Sequence, residues 1–267
     1  MNREKYDALV TYIKTFKKVA IAFSGGVDST FLAYAAKEAL GEEAIVLTLD
    51  SPYIPRWELE ESKSLAKMIG IRHEIILMPS IPEEICNNPK ERCYLCKKNI
   101  FNSLLKRAKE LGISILMDGS NFDDTKDYRP GMLALKELKI ESPLLALEWT
   151  KDEIRIASQV VDLPTHNKPA YACLLTRLPY GQEIKKTDLA KIEKAEVFMM
   201  SLGFKAVRVR CHSDLARIEV ARHMREKLFD VDLLDEISNT LKSYGFTYVA
   251  IESGGYSMGS LNKQLKQ

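Results

Sequence analysis

Apolar and polar positions follow two patterns along this chain, and the pattern changes near the middle. In the first half, short unbroken apolar runs are separated by longer amphipathic stretches. The runs at 18–24, 44–50, 73–78 and 114–118 read as strands, and helices are predicted near 28–40, 56–69 and 96–111. Strands that are apolar on both faces and spaced by helices imply an α/β class, a doubly wound parallel sheet with helices on both sides. In such sheets ligands sit at the carboxyl ends of the strands. Three features fall there: a Gly-rich turn after the first strand, Asp50-Ser51, and Asp118-Gly119-Ser120.

The second half reads differently. Pro143, Pro164, Pro169 and Pro179 punctuate it, with a helix expected near 150–161. The stretch from Lys168 to Gly181 carries prolines and glycine at turn spacing and reads as an ordered loop. A helix near 187–202 is stopped by Gly203. Alternation at 206–211 and again at 215–220 predicts a hairpin. A single helix near 222–243 and a strand near 247–252 complete a smaller α+β unit. The boundary falls within 165–183, giving domains at 1–170 and 171–267.

Composition narrows the class without deciding it. The 267 residues suffice for two modest domains. At 46% hydrophobic and 28% charged, the chain has the make-up of a soluble globular protein. No apolar run is long enough to span a bilayer, and the polar segment at 1–7 has no signal-peptide core, so a cytoplasmic protein is expected. The 39 basic and 37 acidic residues give a net charge of +2, which does not call for nucleic acid as a partner. Five cysteines, an odd number, point to metal or thiol chemistry more than to a disulfide framework.

Ser24-Gly25-Gly26-Val27-Asp28-Ser29-Thr30 lies between the first strand and its helix. Glycines there allow a tight turn with inward N–H groups, and the helix start adds unpaired donors and the positive end of its dipole. Ser24, Ser29 and Thr30 add hydroxyls, and Asp28 a carboxylate able to hold Mg²⁺ beside phosphates. The Lys that a Walker A loop needs is absent, as is Gly-x-Gly-x-x-Gly. The pattern resembles the PP-loop of the ATP pyrophosphatases, enzymes that split ATP between its α- and β-phosphates. Asp50 stands where a carboxylate reads a ribose hydroxyl or caps a helix. Gly119 stands where glycine permits close approach of an adenylate.

Cys93-Tyr94-Leu95-Cys96 is a CxxC amid Arg92, Lys97 and Lys98. It fits a redox pair, half a zinc site or part of an iron–sulfur site. Cys173 is the best third thiol, on a loop with Lys168 and Arg177. Three cysteines can hold three irons of a [4Fe-4S] cluster and leave the fourth open. Arg208 and Arg210 share one face of a strand, with Arg217 on its partner and Glu196 and Glu219 as possible counter-ions. That set suits a phosphate or carboxylate ligand, or equally a cross-strand ladder.

The PP-loop, Asp118-Gly119, Asp127-Tyr128-Arg129-Pro130-Gly131, Lys168-Pro169-Ala170 with Cys173 and Arg177, Pro179-Tyr180-Gly181 and Val207-Arg208-Val209-Arg210 follow the same order as in the LarE family, which the chain resembles along nearly its whole length. The resemblance implies an ATP-dependent sulfur transferase of nickel-pincer nucleotide cofactor synthesis. Its substrate would be pyridinium-3,5-biscarboxylic acid mononucleotide, each carboxylate being adenylated and then converted to a thiocarboxylate. It implies an adenine nucleotide α-hydrolase-like first domain, a homo-trimer or homo-hexamer, and ATP and Mg²⁺ as cofactors. Ala22, Ser24, Gly25, Gly26, Asp28, Ser29, Thr30, Asp50, Gly119 and Arg129 would contact the nucleotide; Arg177, Arg208, Arg210, Glu196 and Glu219 would contact the substrate. Some family members sacrifice the sulfur of one cysteine. Others hold a [4Fe-4S] cluster on three, refilled by a donor such as a cysteine desulfurase or free sulfide. Cys93, Cys96 and Cys173 resemble the second kind, with Ala172 nearer the sacrificial position.

Overall fold

The computed structural model describes residues 2–126 and 130–257. They form two units: 1–82 with 91–171, and 83–90 with 172–267.

In the first unit, α1 (Arg3–Lys14) opens on Asn2, whose side chain accepts the Lys5 N–H. Tyr6, Leu9, Val10 and Ile13 form its buried stripe. The strand–helix alternation then runs β1 (Val19–Ala22), α2 (Val27–Leu40), β2 (Ala44–Asp50), α3 (Arg56–Ile69), β3 (Arg72–Leu77), α4 (Arg92–Glu110) and β4 (Leu116–Met117). Three further helices follow, α5 (Gly131–Glu137), α6 (Pro143–Ala146) and α7 (Lys151–Val160). The four strands pair in parallel in the order β3-β2-β1-β4.

One face of this sheet carries a core built around Tyr6, Ile13, Phe31, Leu32, Trp149 and Ile154. The other packs Ile45 and Leu47 against Phe101, Leu104 and Leu135. Burying side chains such as Phe31 and Leu32 stabilises by roughly 1.5–3 kcal/mol each. Strand order reverses at β1: β2 lies on one side, β4 on the other. The crevice beyond the carboxyl ends of β1 and β4 is therefore a topological switch point. The Gly-rich turn leaves β1 at that point, and Asp118-Gly119 leaves β4.

In the second unit, α8 (Lys186–Ser201) precedes the antiparallel hairpin β5 (Arg208–His212) and β6 (Leu215–Glu219). Ser213 turns it with a left-handed φ of 59°. The helix expected over 222–243 is broken. Residues 222–229 form a 3-10 segment, and α9 (Val231–Ser243) starts afresh. The cause is Asp230, which is extended and accepts the Leu233 N–H at 3.1 Å, an N-cap inside the expected helix. β7 (Tyr248–Ile251) pairs in parallel with β6.

The short piece 83–90 belongs to this unit although it sits between two elements of the other. Asn88, fully buried with a left-handed φ of 48°, donates to Leu178 O at 3.1 Å and Pro179 O at 2.6 Å. Gly181 N–H returns a bond to Asn88 O, and Ile184 N–H bonds Cys86 O. This exchange pins the Pro179-Tyr180-Gly181 turn to a segment that sequence reading assigned to the first domain.

Candidate active site

The turn after β1 is shaped by its own hydroxyls. Ser24 and Ser29 Oγ atoms lie 3.2 Å apart, Ser29 Oγ donates to Gly26 O, and Gly26 N–H reaches Ser24 Oγ at 3.3 Å. Gly25 adopts φ +68°, and a Cβ there would also come within 3.3 Å of Ser62 in α3. α2 begins at Gly26 with no side-chain cap, so its first N–H groups point into the crevice without the partner a cap would give. That is the arrangement that binds an anion. Thr30 Oγ1 and, at the end of β2, Ser51 Oγ are both buried without a hydrogen-bond partner. Ala22 ends β1 immediately before the turn.

Asp28 stands in the first turn of α2. Its Oδ1 accepts from Asn121 Nδ2 at 3.3 Å and its Oδ2 from Lys151 Nζ at 2.6 Å. Gly119 closes the other side: a Cβ would lie 2.9 Å from Ser29 N and 3.1 Å from Asp28 C. The missing side chain thus serves contact with the Gly-rich turn's own backbone. Asp118 is buried, accepting from Ser120 Oγ and Ser142 Oγ, with Lys97 Nζ at 3.8 Å. A third lysine-bearing contact comes from Lys168, whose ammonium donates to Gly25 O at 2.9 Å and Glu61 at 2.7 Å and lies over the Trp57 ring. Asp50 is engaged elsewhere. Arg56 ion-pairs its carboxylate and also donates to Ser51 O and Ile54 O, closing the turn after β2.

The carboxylate of Asp28 already faces a cation, the Lys151 ammonium. A divalent ion held by one carboxylate and by phosphate oxygens suits such a position. Sequence reading missed Lys151 and Asn121. Their only signal was location: Asn121 follows the end of β4 by a few residues, and Lys151 is the first residue of α7.

Cys93 and Cys96 lie one helical turn apart at the start of α4, the first exposed and the second buried. Beside them α5 begins at Gly131, where a Cβ would meet Lys97 Cδ at 2.8 Å and approach Cys93 O. Asp127, Tyr128 and Arg129 lie outside the described residues.

Cys173 belongs to the second unit, half-buried at the start of a 3-10 turn, Leu174–Arg177. Arg177 organises that turn. Its Nη1 donates to Ala172 O, Cys173 O and Thr176 Oγ1, while Nε and Nη2 form a bidentate pair with Glu196, both at 2.8 Å. Glu196 also accepts Val209 N–H. Arg210 repeats the device with Glu219 at 3.0 and 2.7 Å, and its Nη1 reaches Thr176 O at 2.6 Å. Two buried arginine–carboxylate pairs thus hold the cysteine-bearing turn. Arg208, also buried, donates to Val207 O and stacks on Tyr256. Of the five expected substrate contacts, four form these internal pairs.

Burial raises the Cys211 thiol to about 11, which marks it as inert. Among the described residues, no group of three or more His, Cys, Asp or Glu side chains is arranged to hold a metal ion. Cys93 and Cys96 are in one unit and Cys173 in the other. Cys93 and Cys96, one turn apart at the start of α4, are the kind of thiol donors an iron–sulfur cluster takes. No helix among the described residues is long and apolar enough to cross a membrane.

Several known proteins are similar to this chain in sequence. Residues 3–101 match the family model of NAD synthase. An uncharacterized protein of Synechocystis is 38% identical over 266 residues, 99% of both chains. The pyridinium-3,5-bisthiocarboxylic acid mononucleotide synthase of Lactiplantibacillus plantarum is 32% identical over 265 residues, 98% of this chain and 95% of that protein. A tRNA-specific 2-thiouridylase of Clostridium botulinum is 26% identical over 66% of this chain and 60% of its own.

Proposed function

The chain belongs to the LarE family of PP-loop enzymes, and on that premise we propose that it is a pyridinium-3,5-bisthiocarboxylic acid mononucleotide synthase. Its substrate on this reading is pyridinium-3,5-biscarboxylic acid mononucleotide, activated by ATP. The observation that carries the proposal is the uncapped start of α2 at the switch point, with Asp28 beside it.

In the first half-reaction the PP-loop N–H groups and the Ser24 and Ser29 hydroxyls bind the phosphates. Asp28 would hold Mg²⁺, which when bound offsets charge developing on the leaving pyrophosphate. Lys168 fixes the loop from behind through Gly25 O. A substrate carboxylate oxygen attacks the α-phosphorus; the bond to the β-phosphate oxygen breaks, leaving an acyl-adenylate and pyrophosphate. In the second half-reaction sulfur replaces AMP at the acyl carbon, and the carboxylate oxygen leaves with AMP.

Cys93, Cys96 and Cys173 would hold a [4Fe-4S] cluster, which when bound would supply sulfide for the second half-reaction. Arg177 keeps the Cys173 turn in one conformation. Arg208, on the same face of β5 as Arg210, is read as a ligand of the substrate's phosphate or second carboxylate, while Arg210 stays on Glu219 and Thr176 O and braces the cysteine turn.

Anaerobic incubation with ATP and the biscarboxylated mononucleotide tests the proposal. Pyrophosphate release that depends on this substrate, with thiocarboxylate in the product, is expected. Release that responds to tRNA instead would favour a thiolase such as the matched 2-thiouridylase. Cys93→Ser should leave pyrophosphate release intact and abolish the thiocarboxylate. Loss of both would remove Cys93 from the sulfur step.

A further inference from the structure

Lys151 has no part in the reading above, yet it holds the shortest bond to Asp28, 2.6 Å from Nζ to Oδ2. Its backbone is fixed on every side. It is the first residue of α7, whose start carries a full capping box between Thr150 and Glu153. Its N–H donates to Asp123 Oδ2 at 2.8 Å. Lys5 grips Glu153 at 2.8 and 2.9 Å and Glu148 O at 3.1 Å. The rest of the frame around Asp28 is equally set. Asn121, on Oδ1, is itself held by Asp124 and by the Asp123 N–H, and Gly119 packs on the backbone of Asp28 and Ser29.

Within that frame one contact is soft. The Lys151 side chain is 31% exposed and that of Asp28 21%. The ammonium sits on a flexible stem and has three donors, one of them committed to Asp28. It occupies the oxygen that a divalent ion would take.

We propose that Lys151 is a positioning residue that competes with the divalent ion for Asp28 Oδ2, so that metal and nucleotide enter together. Without nucleotide, Lys151 neutralises Asp28 and the ion gains little there. When a triphosphate brings its metal, the ion displaces the ammonium. The freed ammonium then lies beside the phosphates, where the leaving pyrophosphate develops charge. Metal and nucleotide affinities are thereby coupled through one lysine, and the coupling is reciprocal. The inference rests on the reading of Asp28 as the metal-binding carboxylate.

The test is Mn²⁺ binding to the full-length protein, followed by electron paramagnetic resonance with and without a non-cleavable α,β-methylene ATP analogue. Lys151→Met should raise nucleotide-free Mn²⁺ affinity roughly fivefold to tenfold, the scale of one half-exposed charge at contact distance. It should reduce by the same factor the gain in Mn²⁺ affinity that the analogue confers. Lys151→Arg, which keeps the charge, should stay near wild type, and Lys151→Gln serves if the methionine variant does not fold. Equal Mn²⁺ affinities in wild type and the neutral variants would overturn the role of Lys151. Asp28→Asn separates the two claims: if it leaves Mn²⁺ binding in the nucleotide complex unchanged, the reading of Asp28 fails instead.

Discussion

Arg177 and Glu196 have side chains 1% and 7% exposed and share two hydrogen bonds of 2.8 Å; Lys151 and Asp28 are 31% and 21% exposed and share one of 2.6 Å. Both are cation–carboxylate pairs at the sites of the proposed chemistry. Their burial and valence give them different uses. A planar guanidinium, bidentate and dry, cannot exchange partners without leaving a buried charge behind, so it fixes a backbone. A single-point ammonium at the edge of water can be replaced at little cost. The second unit uses the first kind to freeze the cysteine turn, and the PP-loop unit uses the second beside the proposed metal-binding carboxylate.

That contrast predicts a hierarchy of damage. Arg177→Ala strands the Glu196 carboxylate in a dry site and should destabilise by about 3–5 kcal/mol in urea unfolding. A cost below about 1 kcal/mol would mean the pair is wetter than its burial indicates. Gly119→Ala forces a Cβ to 2.9 Å from Ser29 N, a backbone atom that cannot swing aside. It should cost about 1–3 kcal/mol and slow pyrophosphate release about tenfold or more while leaving the Cys173 turn intact. Gly25→Ala, at φ +68°, should cost about 1–2 kcal/mol, read from the same unfolding curves.

The smallest effect is a titration. Thr48 Oγ1 donates to Phe23 O at 2.7 Å, so His73 Nε2, 2.8 Å from Thr48 Oγ1, is the donor of that pair. Burial, then the Lys63 ammonium, hold His73 below its ordinary value of about 6.5. Its contribution is complete above that pH and is lost as pH falls from there toward the folded-state value, because the unfolded chain takes the proton first. Unfolding free energy should decline as pH falls across this window, and His73→Gln should flatten the decline.

The sheet was legible because its strands are short apolar runs broken by glycine or aspartate, and the PP-loop because glycines and hydroxyls cluster at a strand end. Asp230 was visible as a letter, but its capping role inside a plausible helix depends on local φ and ψ. The excursion of 83–90 was not legible, since Asn88 gains its meaning from carbonyls ninety residues away. Arg210 read equally as a ligand or as a rung of a cross-strand ladder, because a guanidinium offers the same donors to substrate or to a glutamate. Glu196 and Glu219 were visible as possible counter-ions, but which arginine each one takes depends on register and burial. Lys151 lay in an ordinary capping-box sequence, and nothing in that sequence names its partner 123 positions upstream.

The central claim is that a substrate carboxylate is adenylated before sulfur arrives. Substrate carrying isotopically heavy oxygen in its carboxylates tests it directly, with AMP and pyrophosphate analysed by mass spectrometry after anaerobic turnover. The account predicts one heavy oxygen in AMP for each thiocarboxylate formed and none in pyrophosphate. Unlabelled AMP alongside thiocarboxylate product would contradict it.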